Sequence, residues 1–477
     1  MTTRRQFLKE VGLATAGLAL NPLGSVMAHP LNSKEWKDLK KDKIKIAYIG
    51  CGNRGEQDIE EFRKTGMVDV VALCDVDIDG PQCQKVVSWY PNAKRFRDFR
   101  EMFDKCGNEF EAVCAAVPDH IHFPVAMLAL NSGKHIYLEK PMVRTFQEAE
   151  LLMENARRHP QLATQVGNQG HSEANYFQFK AWQDAGIIKD VTAVTAHMNN
   201  PRRWHQFDEN MVKMPGGETA VPRGMDWNTW VGACGWRDYS EKYHQGNWRC
   251  WYEFGMGCLG DWGAHLLDTV HEFLNLGLPY EVTMKYAKGH NDYFYPFSST
   301  ILFRFAARGS MPPCDITWYD GLDNLPPLPK GYGGSEYNAD VPSTNQGDTP
   351  KATLNPGKII YSRDLTFKGG SHGSTLSIIL SEKAEEMKAR LPEVPKSPSN
   401  HYVNFLRACR GEEQTRSSFP VNGVLSEVFC LGVIAQRLNT QLFFDTRTKQ
   451  FTNNAFANAL LTGLPPRRGW EEFYKLG

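Results

Sequence analysis

The run Gly50-Cys51-Gly52-Asn53-Arg54-Gly55 constrains this chain more than any other segment, because of what surrounds it. Ile44–Ile49 is a largely apolar run, broken only by Lys45, that reads as a buried strand, and helical spacing takes over across Asp58–Lys64. A second apolar run, Val68–Leu73, ends at Asp75, twenty residues beyond Gly55. Each piece has a task in holding a dinucleotide. Gly50 permits the tight turn, Gly52 lets the backbone approach a pyrophosphate, and Gly55 lets helix and strand pack closely. The pyrophosphate is expected at the helix N-terminus, on the loop that Cys51, Asn53 and Arg54 complete. Asp75 is placed to accept hydrogen bonds from the adenosine ribose, and its charge repels a 2′-phosphate. NAD is therefore expected over NADP, with Arg54 the one residue that complicates the preference.

The same alternation continues downstream. Glu111–Val117 reads as a strand ending at Pro118-Asp119-His120-Ile121-His122, with a helix over Phe123–Leu130. His135–Leu138 is the next strand and ends in Glu139-Lys140-Pro141; a helix over Phe146–Arg158 and a strand over Ala163–Gly167 follow. Ligands of such sheets bind at the carboxyl ends of the strands. Pro118, Lys140 and Asn168 all fall at that edge, beside the glycine loop. After Gln169 the pattern changes to a helix over Glu173–Ala185 and a strand over Val191–Met198, with further strands at Ser298–Arg304, Asp315–Tyr319 and Lys358–Tyr361. The expected fold class is α/β, a Rossmann doubly wound parallel sheet, followed by an α+β domain with a large, mostly antiparallel sheet. The boundaries are residues 43–168 for the nucleotide domain and 169–477 for the second, with 320–356 as a Pro/Gly-rich insertion loop.

Composition excludes several classes. With 54 Lys+Arg against 54 Asp+Glu the chain is neutral, so no nucleic-acid partner is expected. No apolar run reaches the roughly 18–20 residues that span a bilayer. The eleven cysteines show no C-x-x-C and no His/Cys spacing for zinc, so no metal site is expected. The N-terminus reads Thr3-Arg4-Arg5-Gln6-Phe7-Leu8-Lys9, then an apolar stretch to Leu20 and the small-residue site Val26-Met27-Ala28. That is the form of a twin-arginine export signal over residues 1–28, and it predicts a periplasmic or cell-envelope protein exported folded with its cofactor.

At Glu139-Lys140-Pro141 the sequence resembles the Gfo/Idh/MocA oxidoreductase family, named after glucose-fructose oxidoreductase and inositol dehydrogenase. The resemblance extends to Ala116-Val117-Pro118-Asp119-His120-Ile121-His122 and to Gly167-Asn168-Gln169-Gly170-His171. It also covers Gly257-Cys258-Leu259-Gly260-Asp261-Trp262-Gly263-Ala264-His265, similar to that family's G-x-x-x-D-x-x-x-H helix. What it implies is an active-site lysine at Lys140 with Asp261 and His265 as its catalytic companions. Pro118, His122, Glu139, Lys140 and Asn168 are then nicotinamide-side residues, and His171 faces the substrate. A homodimer or homotetramer formed through the second sheet is also implied. From the residues themselves, Asp261 and His265 are four apart, so a helix puts them on one face where the carboxylate can orient the imidazole. Lys140, desolvated beside a nucleotide, is suited to relay a proton.

Seven of the 12 tryptophans lie between Trp204 and Trp262, in a stretch of weak periodicity. Aromatic faces stack against the C–H faces of sugars, and Arg and His bind sugar hydroxyls. Trp204, Trp248 and Trp251, with Arg202, Arg203, His205, Tyr243, His244 and Arg249, are therefore the expected carbohydrate contacts. The leading reading is an exported NAD-dependent oxidoreductase acting on a carbohydrate or polyol. Its rival is an NAD-dependent glycosidase that oxidises the sugar transiently and shows no net redox change. A non-catalytic sensor is disfavoured by the presence of Lys140, Asp261 and His265 together.

Overall fold

Six short runs, each too brief to close a core alone, pair side by side as one parallel sheet in the order β3-β2-β1-β4-β5-β6. They are β1 Ile44–Ile49, β2 Val68–Cys74, β3 Lys94–Phe96, β4 Ala112–Ala115, β5 His135–Leu138 and β6 Thr164–Val166. A computed structural model describes residues 43–199, 207–244, 246–332 and 354–476 of the chain. Parallel strands bury both faces, and β4 is buried at every position, with crossover helices on either side. Strand order reverses between β1 and β4, which opens a crevice at their carboxyl ends, where the glycine loop and Pro118 both emerge. The helix after β4 begins at Asp119, one turn before the expected Phe123, with Pro118 as its N-cap residue. Asp119 supplies the acid that a helix start favours, a signal that outweighs the polar look of Asp119–His122. Strand β3 was not anticipated: three residues at the sheet edge leave too short a pattern to read.

The second sheet has nine strands in the order β13-β12-β11-β7-β10-β9-β8-β14-β15. These are β7 Val191–Met198, β8 Glu281–Lys288, β9 Ser298–Phe305, β10 Cys314–Asp320, β11 Gly357–Ser362, β12 Thr366–Gly369, β13 Ser377–Ile378, β14 Gln441–Asp445 and β15 Gln450–Phe451. Every pairing is antiparallel except β7 with β10.

Between the sheets lie the helices Gly257–Leu266 and Phe419–Leu438. A single hydrophobic cluster runs from Val113 and Leu138 through Phe429 and Leu431 to Ile316 and Trp318. Among the described residues one helix, Phe419–Leu438, is long and apolar enough by length and composition to cross a membrane. It lies buried against the helices Phe146–Arg158 and Gly257–Leu266, the position of a core helix. The C-terminal region also returns to the first sheet. Tyr402, Phe405 and Leu406 pack with Tyr48, Phe62 and Tyr137 on its outer layer, and Trp470 covers Phe99.

Candidate active site

The glycine loop closes as its sequence requires. Gly50 has φ +86°, and a Cβ there would stand 2.1 Å from the Ala116 carbonyl oxygen. A Cβ on Gly55 would stand 2.1 Å from the Gly50 carbonyl oxygen, so helix Arg54–Lys64 seats against the strand end only because Gly55 has no side chain. Asn53, at the N-cap, makes no side-chain capping bond. Asp75, at the end of β2, accepts from the Cys51 amide at 2.9 Å and from the Asp77 amide at 3.0 Å. Gly50, Gly52, Asn53, Arg54 and Asp75 line one end of a cavity of about 1720 Å³ that extends to Lys140, Asp261 and His265. That length, a loop no side chain can fill and a carboxylate at the ribose position fit a bound dinucleotide.

Arg54 does not reach toward a ribose phosphate. Its Nη2 lies 2.7 Å from Asp58 and 3.0 Å from Glu139, and donates to the Tyr402 hydroxyl at 3.1 Å. Tyr402 in turn donates to Asp58 at 2.8 Å. The guanidinium is thus committed to a buried cluster closed by a helix, His401–Cys409, far along the chain. Glu139 lines the cavity, yet its carboxylate receives Arg54 and the Lys140 amide, so it braces the loop. The side chains of Cys51, His122 and Asn168 stand behind the cavity surface. The Cys51 thiol turns under the loop toward the Cys74 carbonyl at 3.6 Å. The His122 ring bridges the Pro141 and Val117 carbonyls at 2.6 and 2.9 Å, and Asn168 donates to the Ala264 carbonyl at 3.0 Å. All three hold the walls in register.

The reactive end is built where β5 meets the helix Gly257–Leu266. A Cβ on Gly263 would come 2.9 Å from the Phe429 ring, so the helix seats against the core there through a glycine. The Lys140–Pro141 peptide is cis. Lys140 Nζ donates to Asp261 Oδ1 at 2.6 Å and to the Asp261 carbonyl at 2.9 Å. Burial lowers the Lys140 pKa from its ordinary value, and Arg249 adds to the fall, while Asp261 and Glu139 oppose it. The expected Asp261–His265 pair is corrected. Asp261 holds Lys140, and His265 instead stacks on His372, ring centroids 3.8 Å apart and planes 20° from parallel. The carboxylate goes to the cation because a full ion pair outweighs a bond to a neutral ring. Burial drives the His265 pKa well below its usual range, and His372 and Lys140 push the same way.

The tryptophan-rich stretch divides. Trp230, Trp248 and Trp262 line the cavity, and the Arg249 guanidinium lies over Trp248, 4.0 Å from its ring centre and 3.9 Å from Asp261. Trp251 and Tyr243 are corrected: both are fully buried in an aromatic cluster with Phe254. Trp251 donates its indole N–H to the Lys242 carbonyl, and Tyr243 its hydroxyl to the Pro215 carbonyl. A segment without regular structure needs its own core, and these rings supply it. His171 is corrected as well, since it sits behind the cavity, within 3.5 Å of Asp268 and 3.3 Å of Glu272. Arg202 and Trp204, like Arg203 and His205, lie outside the described residues, as do residues 1–28 and most of the 320–356 insertion. Among the cavity residues that escaped the sequence reading are His372 and Asp119. His372 follows β12 in an isolated Gly-Ser-His-Gly turn with no periodicity to mark it. Asp119, buried and accepting from the Met256 amide at 3.0 Å, was read as part of a loop.

Comparison with known proteins agrees with this architecture. A family model described as oxidoreductase family, NAD-binding Rossmann fold, matches residues 44–167, and its C-terminal alpha/beta domain matches residues 181–309. A protein of Shewanella putrefaciens named glycosyl hydrolase family 109 protein is 29% identical over 171 residues, 32% of this chain and 37% of its own length. The alpha-N-acetylgalactosaminidase of Shewanella oneidensis is 30% identical over 171 residues, with the same coverage, 32% and 37%. The chain therefore spans little more than a third of the curated relatives it matches. Among solved structures, the WlbA dehydrogenase of Bordetella pertussis, in complex with NADH and UDP-GlcNAcA, superposes with TM-score 0.55 at 14% identity, covering 84% of this chain and 99% of its own. The aldose-aldose oxidoreductase of Caulobacter crescentus gives 0.51 at 12% identity, covering 84% and 100%. At such identities these two speak for the fold alone.

Proposed function

Because the chain belongs to the Gfo/Idh/MocA family of oxidoreductases, we propose that it moves hydride between a hydroxyl-bearing carbon of a carbohydrate or polyol and NAD held at the glycine loop. The observation that carries this reading is the buried Lys140–Asp261 pair, which shares one cavity with His265, Trp262 and the glycine loop. Gly50, Gly52 and Asn53 would hold the pyrophosphate and Asp75 the adenosine ribose. With Arg54 committed to Asp58 and Glu139, no free cation in the loop offsets the Asp75 charge, which favours NAD over NADP. When bound, the nicotinamide would supply a two-electron hydride acceptor at the sugar carbon.

The chain's own residues manage the proton. Lys140 hydrogen-bonds the reacting hydroxyl and, in its neutral form, takes the proton, while Asp261 stabilises the resulting ammonium. His265, a neutral imidazole on the same wall, is the second acceptor. Trp230, Trp248 and Trp262 present aromatic surface to the sugar, and Arg249 binds its hydroxyls. Export through the Arg4-Arg5 signal to the periplasm, and assembly through the second sheet, belong to the same proposal.

A second reading, an NAD-dependent glycosidase without net redox change, is favoured by the names of the Shewanella relatives. One experiment separates the two. The purified protein is assayed for released nucleotide, then mixed with a panel of sugars and aryl glycosides. Accumulated reduced nucleotide and a keto sugar support the dehydrogenase. Glycoside cleavage without either supports the glycosidase, and absence of nucleotide affinity removes both.

A further inference from the structure

His372 reaches the cavity from outside the motifs described above. It lies in the turn after β12 with φ +51°, a left-handed backbone that non-glycine residues rarely adopt. Three neighbours hold the turn: Ser371 Oγ lies 3.0 Å from His372 Nδ1, and the buried Lys358 donates to the Gly370 carbonyl at 3.2 Å. The third is Glu173, close enough that a Cβ on Gly373 would stand 1.7 Å from its carboxylate. The His372 side chain stacks on His265, with Trp262 edge-on to both rings at 6.0 and 5.7 Å.

We propose that His372 is a positioning residue for the reaction, fixing the His265 ring by stacking so that it stands as the second proton acceptor beside Lys140. The proposal rests on the hydride-transfer reading above. Parallel stacked imidazoles share no hydrogen bond, and two protonated rings at this separation repel strongly where water is excluded. Among the charged groups facing His265, Lys140 from the end of β5 and Arg54 from the first helix also oppose its protonation, and Asp261 alone favours it. That carboxylate is engaged by Lys140, and His265 Nδ1 is buried without a hydrogen-bond partner among the described residues. Around His372 itself stand Glu173, Lys358 and, across Gly170, Asp268. His372 is the more exposed of the two rings, with His265 buried beneath it.

The test is a titration of His265 by NMR in full-length, histidine-labelled protein, its signal assigned by loss in His265→Gln. His372→Asn suits the left-handed backbone and removes only the second titrating ring. The His265 midpoint is expected to rise by about one unit or more in that variant. In His372→Arg, which keeps a positive charge in place, it is expected to stay at or below the wild-type value. With a sugar that turns over, the acid limb of log(kcat/KM) should move with the NMR midpoint. An unmoved midpoint in folded His372→Asn overturns the proposal, as does a uniform loss of rate at every pH. If wild type turns over no sugar, the hydride-transfer reading fails while the titration still decides the role of His372.

Discussion

Lys140 Nζ lies 2.6 Å from Asp261 Oδ1 and also donates to the Asp261 carbonyl, which locks the end of β5 to a helix 121 positions away. The pair joins the nucleotide domain to the second domain at the point where chemistry is expected. Replacing Lys140 by Met should lower kcat/KM by about 10²- to 10⁴-fold with nucleotide affinity retained. Isothermal titration beside steady-state kinetics checks both halves of that statement.

The pH dependence follows from the same pair. Burial lowers the Lys140 pKa below its ordinary 10.5, so the neutral amine forms at lower pH than for an exposed lysine. Hydroxyl oxidation needs that neutral form, so kcat/KM should rise with pH through a limb below 10.5. This upper limb should vanish in Lys140→Met, leaving the lower limb that follows His265, and a rate profile from pH 5 to 10 reads it.

Asp119 makes a prediction about stability. Burial raises its pKa to about 7, with Asp261 adding to the rise and Arg249 opposing it. The folded state therefore holds a proton that the unfolded state releases above about 4, and stability falls as pH rises toward 7. Asp119→Asn keeps an acceptor for the Met256 amide and removes the penalty. It should stabilise by about 1–4 kcal/mol at pH 8 and by little at pH 4, measured by denaturant unfolding.

Two tryptophans three residues apart should separate packing from recognition. Trp251→Ala empties the centre of an aromatic cluster and should cost about 3–5 kcal/mol of stability. Trp248→Ala should raise KM for the sugar with a smaller loss of stability, because Trp248 lines the cavity beside Arg249. Thermal unfolding and substrate titration, run on both variants, check the contrast.

The parts legible in the sequence were those governed by local rules. The glycine loop, Asp75 and Lys140 each sit where a strand ends, and strand ends are marked by apolar runs and their punctuation. The tertiary partners were not legible. Spacing put Asp261 and His265 on one face, but only the fold brings Lys140 to that face and gives it the carboxylate. Nothing local to Tyr402 announces that it closes the Arg54 cluster, or to His372 that it stacks on His265. Tryptophan clustering marked the right region without separating Trp248, which borders the cavity from the edge of the aromatic cluster, from Trp251 at its centre.

Cofactor preference turns on Asp75, with Arg54 held by Asp58 and Glu139. Asp75→Ser should weaken NAD binding by about 1.5–3 kcal/mol and narrow the gap to NADP, because the repelling charge is gone. Fluorescence titration with each nucleotide measures the ratio.

The most direct test of the account is absorbance at 340 nm in a single turnover of nucleotide-loaded protein mixed with candidate sugars, wild type beside Lys140→Met. The account predicts a rise with at least one sugar, absent in the variant, whether the reduced nucleotide accumulates or returns to baseline as product forms. No change at 340 nm with any sugar or glycoside that the protein demonstrably binds would contradict it.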